Sequence, residues 1–138
     1  MTKAMSARLV FLIPAILTIA MLLSACDGEP SHRLPETFTF NPGANFTTNI
    51  NDSDPRRVIR CAVIFQVVDE AAVTELSGYT PVIRNAVLVV LGELTLREVT
   101  VDKDLHAIAQ RIVDQANESL YGNVNLIVGA YFTEFVLA

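Results

Sequence analysis

Between Val58 and Val67 apolar and polar positions alternate. Ile59, Cys61, Val63, Phe65 and Val67 are all apolar, while the positions between them include Arg60 and Gln66. A period of two puts the two sets on opposite faces of a pleated strand, so this stretch predicts a strand with one face in a core. Asp69 follows and offers a side-chain oxygen to the free N–H groups that open a helix. A helical region is expected from Glu70 to about Gly92, with a break or kink at Gly78 and Pro81. Past that break Ile83, Ala86, Val87, Val90 and Leu94 fall on one helical face. Val82, Leu88, Val89 and Leu91 lie elsewhere around the same helix, so "AVLVVL" (86–91) is apolar around its full circumference. "TLREV" (95–99) reads as a short irregular turn or helix.

A second helix is predicted from about Asp102 to Leu120. Leu105, Ile108, Ala109, Ile112, Val113, Ala116 and Leu120 form its apolar stripe, with Lys103, Gln110, Arg111 and Glu118 off it. Gly122 supplies the C-terminal cap. "VNLIVGAYFTEFVLA" (124–138) is apolar in both alternating sets, which suits a central strand or one covered on both faces. Upstream, residues 44–50 predict a short strand, and Phe38 and Phe40 alternate with threonines. The order strand, strand, helix, helix, strand predicts an α+β domain, a small antiparallel sheet packed by two helices.

The opening residues follow a different pattern. Lys3 and Arg8 precede an uncharged apolar run from Leu9 to Leu23. That is a positive n-region and an h-region of signal-peptide length, shorter than the roughly 20 residues usual for a spanning helix. Leu23-Ser24-Ala25-Cys26 then sets an aliphatic residue and two small ones before a cysteine. This resembles the lipobox of bacterial lipoproteins. The resemblance implies cleavage between Ala25 and Cys26, a diacylglycerol on the Cys26 sulfur and a further acyl chain on its amine. Each buried methylene contributes about 0.8 kcal/mol, and stable anchoring takes two chains or more. Asp27, directly behind, resembles the signal that retains enteric-type lipoproteins at the inner membrane. The alternative is an uncleaved N-terminal anchor in which Cys26 is incidental, since single helices of about 17 residues can span. Residues 1–25 are thus read as a lipoprotein signal peptide, 26–43 as the lipidated cysteine and a flexible linker, and 44–138 as the folded domain. Three prolines and two glycines mark the linker.

Charge narrows the function. The chain has 10 basic and 15 acidic residues, for a net charge of −5. Residues 1–25 hold Lys3 and Arg8 and no acid, so the remainder is more acidic still. That argues against nucleic acid as a partner. Arg56, Arg57 and Arg60 form the one local basic cluster and read as a solvated strand end. Cys26 and Cys61 are the two cysteines. An acylated Cys26 leaves Cys61 without a disulfide partner. Cys61 then reads as a small core residue, with redox reactivity as the alternative. His32 and His106 stand alone, without ligand spacing for a metal. No glycine-rich phosphate loop appears. Glu93 with Glu98, or Asp102 with Asp104, read as surface acids, because nothing nearby would raise one pKa. No catalytic residue, metal or cofactor is assigned, and the chain reads as non-enzymatic.

Four stretches in order carry a family resemblance: "N-I-N" (49–51) before a charged turn, "TPVIRNAVLVVL" (80–91), the Asp104-Leu105, Ile108, Ile112 stripe and "AYFTEFVLA" (130–138). Pro81-x-Ile83-Arg84 and Tyr131-Phe132-Thr133-x-Phe135 are the most specific. Together, over about 38–138, they resemble the FliL family of flagellar basal-body-associated proteins. The family commonly opens its last helix with a Gly-Lys pair, where this chain has Asp102-Lys103. The resemblance implies a stomatin-type (SPFH-like) fold on the periplasmic face of the bacterial inner membrane. It implies a ring-forming homo-oligomer beside the flagellar stator units that supports the motor, and so motility and swarming. The alternative is an envelope lipoprotein that uses the same fold as a partner-binding module unrelated to the flagellum. A thin sheet and one neighbouring helix leave part of residues 86–91 uncovered. The alternative is that the two helices and the linker cover everything. The ring assembly that the resemblance implies tips the choice, and makes Leu88, Val89 and Leu91 the expected oligomer or stator surface.

Overall fold

The strand predicted from the alternation is β3, Val58–Val67, and the sheet is built around it. The structure, a computed structural model, describes residues 37–122 and 125–138. Ala25, Cys26 and Asp27 lie outside the described residues. β4 (Ile127–Leu137) runs antiparallel along one side of β3. β1 (Phe38–Phe40) and β2 (Phe46–Asn49) share its other side, each pairing antiparallel with one end. The odd positions of β3 are buried, from Ile59 through Val67. Arg60 is exposed, and Ala62, Ile64 and Gln66 are half-buried on the opposite face. The described residues thus form an antiparallel four-stranded sheet with helices, an α+β fold.

β1 carries the fold upstream of Ala44. Phe40 lies opposite Phe65 and is buried, so the compact unit spans Glu36–Ala138. The β1–β2 connection turns at Gly43, whose φ of 100° suits a residue without a side chain.

The long helical region is two helices. α1 is Glu70–Gly78, capped by Asp69, whose carboxylate accepts the Ala72 N–H at 2.8 Å. α2 is Thr80–Glu93, with Pro81 in its first turn, where no N–H is needed. The last helix, α3, is Leu105–Ser119, capped by Asp104 accepting from the Ala107 N–H at 2.9 Å. Three α-helices, not two, therefore accompany the sheet among the described residues.

α3 begins three residues later than expected because another motif occupies its approach. Thr95 and Glu98 bond reciprocally: the Thr95 N–H reaches the Glu98 carboxylate at 2.8 Å, and the Glu98 N–H reaches Thr95 Oγ1 at 3.4 Å. This capping box opens a helical turn that widens into a π-helix, Glu98–Asp102. Lys103 ends the turn in the left-handed region, at φ 47°. A non-glycine residue there costs roughly 1 kcal/mol, offset here by the Lys103 N–H bond to the Glu98 carbonyl at 3.0 Å.

β4 departs from expectation. Its pattern suits a central or covered strand, yet it pairs with β3 alone among the described residues and so lies at the edge of the sheet. Val128, Tyr131 and Val136 are 58%, 43% and 48% exposed. The physical reason is a pair of register shifts, between Ala62/Val63 and Gln66/Val67. An extra residue breaks the period of two. Phe132 and Phe135 are three apart, so strict alternation would oppose them. With Thr133 inserted they pair with Val63 and Cys61, both buried, and their rings meet edge to face at 5.0 Å.

Candidate functional site: the surfaces of α2 and β4

α2 is fixed in place by Arg84. Its guanidinium Nη1 donates to the Pro42 carbonyl at 3.1 Å and to the Ala44 carbonyl at 2.7 Å, and its Cζ lies 4.4 Å from the centre of the Phe46 ring. One cation thus holds the β1–β2 turn against the helix. Ile83 beside it is fully buried. The pair gives Pro81-x-Ile83-Arg84 a structural meaning. Hydrogen bonds to a charged group are worth more than neutral ones, and this group is half-buried. Arg84→Ala is therefore expected to cost about 2 kcal/mol, seen as a fall of roughly 10 °C in the melting temperature by circular dichroism. Arg84→Lys should recover part of it, because an ammonium cannot reproduce the fork over the ring. A melting curve like the wild type for Arg84→Ala would show the contact to be idle.

The surface expected on α2 is narrower than the sequence implied. Pro81, Asn85, Val89 and Glu93, each four residues apart, form its exposed stripe. Val89 is 41% exposed, and Leu88 is half-buried and packs on the core. Leu91 is 0% exposed, so it is a core residue and leaves the candidate surface. The reason is that α2 has neighbours on two sides, β2 and α3. Most of its apolar circumference is consumed within the domain.

The charged residues are largely engaged. Arg56 pairs with Asp54 at 3.1 Å, Arg57 with Asp52 at 2.9 Å and Arg60 with Glu134 at 3.3 Å. The basic cluster is neutralised where it stands. Arg111 reaches Glu98 at 2.9 Å and Glu93 at 3.5 Å. The bonds from Thr95, with the Arg111 cation beyond them, hold the Glu98 carboxyl below the usual range. A general acid needs the opposite shift. Asp102 pairs with Arg97 at 3.6 Å, and Asp104 serves as a cap. The Cys61 thiol is buried, and desolvation, with the Glu134 charge behind it, pushes its pKa up to about 12. At neutral pH it carries almost no thiolate, the reactive form. Among the described residues, no three His, Cys, Asp or Glu are grouped to hold a metal, and no helix is long and apolar enough to cross a membrane.

Two clefts run beside β4. The larger, about 500 Å³, is lined by Val99, Thr100, Lys103, Leu105, Phe135 and Leu137. The smaller, about 260 Å³, is lined by Leu105, His106, Ala109, Ala130, Tyr131 and Phe132. Leu105 belongs to both. This region is not legible in the sequence of β4, because its apolar pattern suits a central or covered strand. The visible signal was Leu105, at the open end of the α3 stripe, and it proves 39% exposed.

The model of the family described as flagellar basal body-associated protein FliL matches residues 39–137. The chain belongs to the FliL family. The match runs from within β1 to the last residue of β4, so the family region of this FliL protein coincides with the α+β fold described above. The comparison with curated proteins gives no match. Membership carries a flagellar basal-body-associated role and a structural rather than enzymatic family. Cys26 and Asp27 lie outside the matched residues.

Proposed function

We propose that this FliL-family protein is a non-enzymatic support of the flagellar motor. It stands beside the stator units, assembles with copies of itself, and holds the stators in their working state. Its anchor is lipid on Cys26, and Asp27 keeps it on the periplasmic face of the inner membrane. The observation that carries this reading is the family match across 39–137, joined to the Leu23-Ser24-Ala25-Cys26 pattern upstream. The acids that could have formed a carboxylate pair, Glu93 with Glu98 and Asp102 with Asp104, are tied to arginines or a helix cap, which favours a scaffold over an enzyme. On α2 the self-contact falls to Val89 with the exposed edge of Leu88.

Deletion of the gene tests the reading. The deletion strain should spread less in soft agar and swarm less, while its filaments are counted at wild-type numbers. Spreading and swarming should return when the full chain is supplied in trans. Wild-type spreading and swarming of the deletion strain would overturn the motor role and favour a partner-binding module elsewhere in the envelope.

A further inference from the structure

β4 uses one edge to pair with β3, and among the described residues no strand pairs with the other. Val58 and Ala138 exchange both backbone hydrogen bonds, at 3.0 and 2.8 Å. In an antiparallel ladder the bonding direction alternates from residue to residue. Ala138 and Val136 therefore aim their N–H and C=O at β3, and Leu137 and Phe135 aim theirs at the open edge. The same two residues line the larger cleft. An extended chain bonded to Leu137 and Phe135 would lay its alternate side chains over apolar space. The smaller cleft continues this space toward Phe132. At about 3.3 Å per residue, Phe132 and Leu137 are separated by some four or five positions of an added strand.

The two irregularities that blunt this edge lie upstream, at Val128 and Thr133, and the Phe135–Leu137 end beyond them carries no such guard. β4 contains neither lysine nor proline. Its one charge, Glu134, is tied to Arg60 at 3.3 Å and to Asn45 at 3.0 Å. The larger cleft carries a single charged group, Lys103, and no acid. The neighbouring acids are engaged elsewhere, Asp102 with Arg97 and Asp104 with the Ala107 N–H. Among the described residues Lys103 has no carboxylate partner, and in a chain of net charge −5 such a cation suits an acid from outside. A second copy's β4 answers poorly, because its only acid would have to leave Arg60.

We propose that the Phe135–Leu137 end of β4 and the Lys103 cleft form a docking edge for an extended segment of a partner protein. The segment adds as a further strand, places apolar side chains about four residues apart in the two clefts, and meets Lys103 with an acid. This goes beyond the motor reading and does not rest on it.

A fluorescein-labelled peptide, Thr-Val-Thr-Val-Thr-Val-Glu-Thr, is the probe, titrated by anisotropy against the full chain in detergent. Saturable binding is expected. N-methylation of alternate peptide amides should weaken it at least tenfold. Leu137→Pro should do the same, because it removes an N–H that points away from β3. Lys103→Glu should weaken it about tenfold, and replacing the peptide's Glu by Lys should restore binding to that variant. Circular dichroism checks the fold of both variants, and the Lys103 charge swap decides the matter if Leu137→Pro misfolds. No saturation up to millimolar peptide would overturn the proposal. So would equal binding of the N-methylated peptide, or an unchanged affinity for a folded Lys103→Glu. A dimer without peptide that Leu137→Pro dissociates would also overturn it, by giving the edge to a second copy.

Discussion

Leu91→Glu is expected to unfold the domain, and Val89→Glu, two residues away on the same helix, to leave its melting transition within error. Leu91 is 0% exposed and sits in one cluster with Ile83, Val87, Ile112 and Leu94. Truncating such a residue costs about 2–5 kcal/mol by lost burial and cavity formation. A glutamate adds the cost of taking a carboxylate out of water with no cation waiting for it. The whole stability of a small domain is about 5–15 kcal/mol. The sum leaves little or nothing. Val89 is 41% exposed on the outer stripe of α2, where substitutions usually act within about 0.5 kcal/mol. The pair separates core from interface. A cooperative transition near the wild-type temperature for Leu91→Glu would mean that α2 is rotated from its described position. Val89→Glu, folded and at normal level, should reduce self-association in sedimentation and weaken swarming. Wild-type values of both would remove α2 from the contact.

The contrast between those two residues marks the limit of what periodicity could say. The buried face of α2 was legible: Ile83, Ala86, Val87, Val90 and Leu94 are all buried. So was the α3 stripe from Ile108 to Leu120. Each of these faces repeats at 3.6 residues, and a repeat needs no knowledge of neighbours. What lay outside the stripe was not legible. Leu91 and Val89 are both apolar and both off the predicted face, and only the positions of β2 and α3 decide that one is core and the other surface. Sequence gives the circumference of a helix, while its neighbours decide how much of that circumference is used.

β4 failed for a related reason. A strand pattern is read on the assumption that every residue advances the pleat by one step. The shifts opposite Ala62/Val63 and Gln66/Val67 break that assumption, so inward residues appear in both alternating sets. The strand looked apolar on both faces when it is apolar on one and mixed on the other. The same pattern hides the clefts, since a central strand has no open edge and a covered one no open face. Local chemistry was more dependable. Asp69 caps α1 as read, and Gly78 with Pro81 mark the junction of α1 and α2. The Thr95–Glu98 capping box was present in "TLREV" as a threonine three residues ahead of a glutamate. No long apolar stripe follows it, so the pattern alone indicates only a short irregular turn or helix.

Cys26→Ala is expected to leave the chain unprocessed and to cost most of the motility that the wild type supports. The argument runs from the thiol. Acylation needs a nucleophilic sulfur at position 26, and an alanine offers none. In the lipoprotein reading cleavage at Ala25 follows acylation, so the precursor should accumulate with Met1 through Ala25 attached. Intact mass spectrometry of the wild type should show an N-terminal cysteine carrying acyl chains, and of the variant an unmodified precursor. The anchors differ in strength. Two or more acyl chains, at about 0.8 kcal/mol per buried methylene, hold a protein firmly. The uncut run from Leu9 to Leu23 is shorter than the roughly 20 residues that span a bilayer comfortably, and Pro14 interrupts it. Carbonate washing should therefore strip more of the variant than of the wild type from membranes. The domain itself should be unaffected, because the compact unit begins at Glu36. Released into solution, the purified variant should melt as the wild type does, so any loss of swarming reports on placement and not on folding. A wild-type chain that begins at Met1 with a free Cys26 thiol would instead make residues 1–25 an uncleaved anchor. It would also remove Asp27 from any part in sorting.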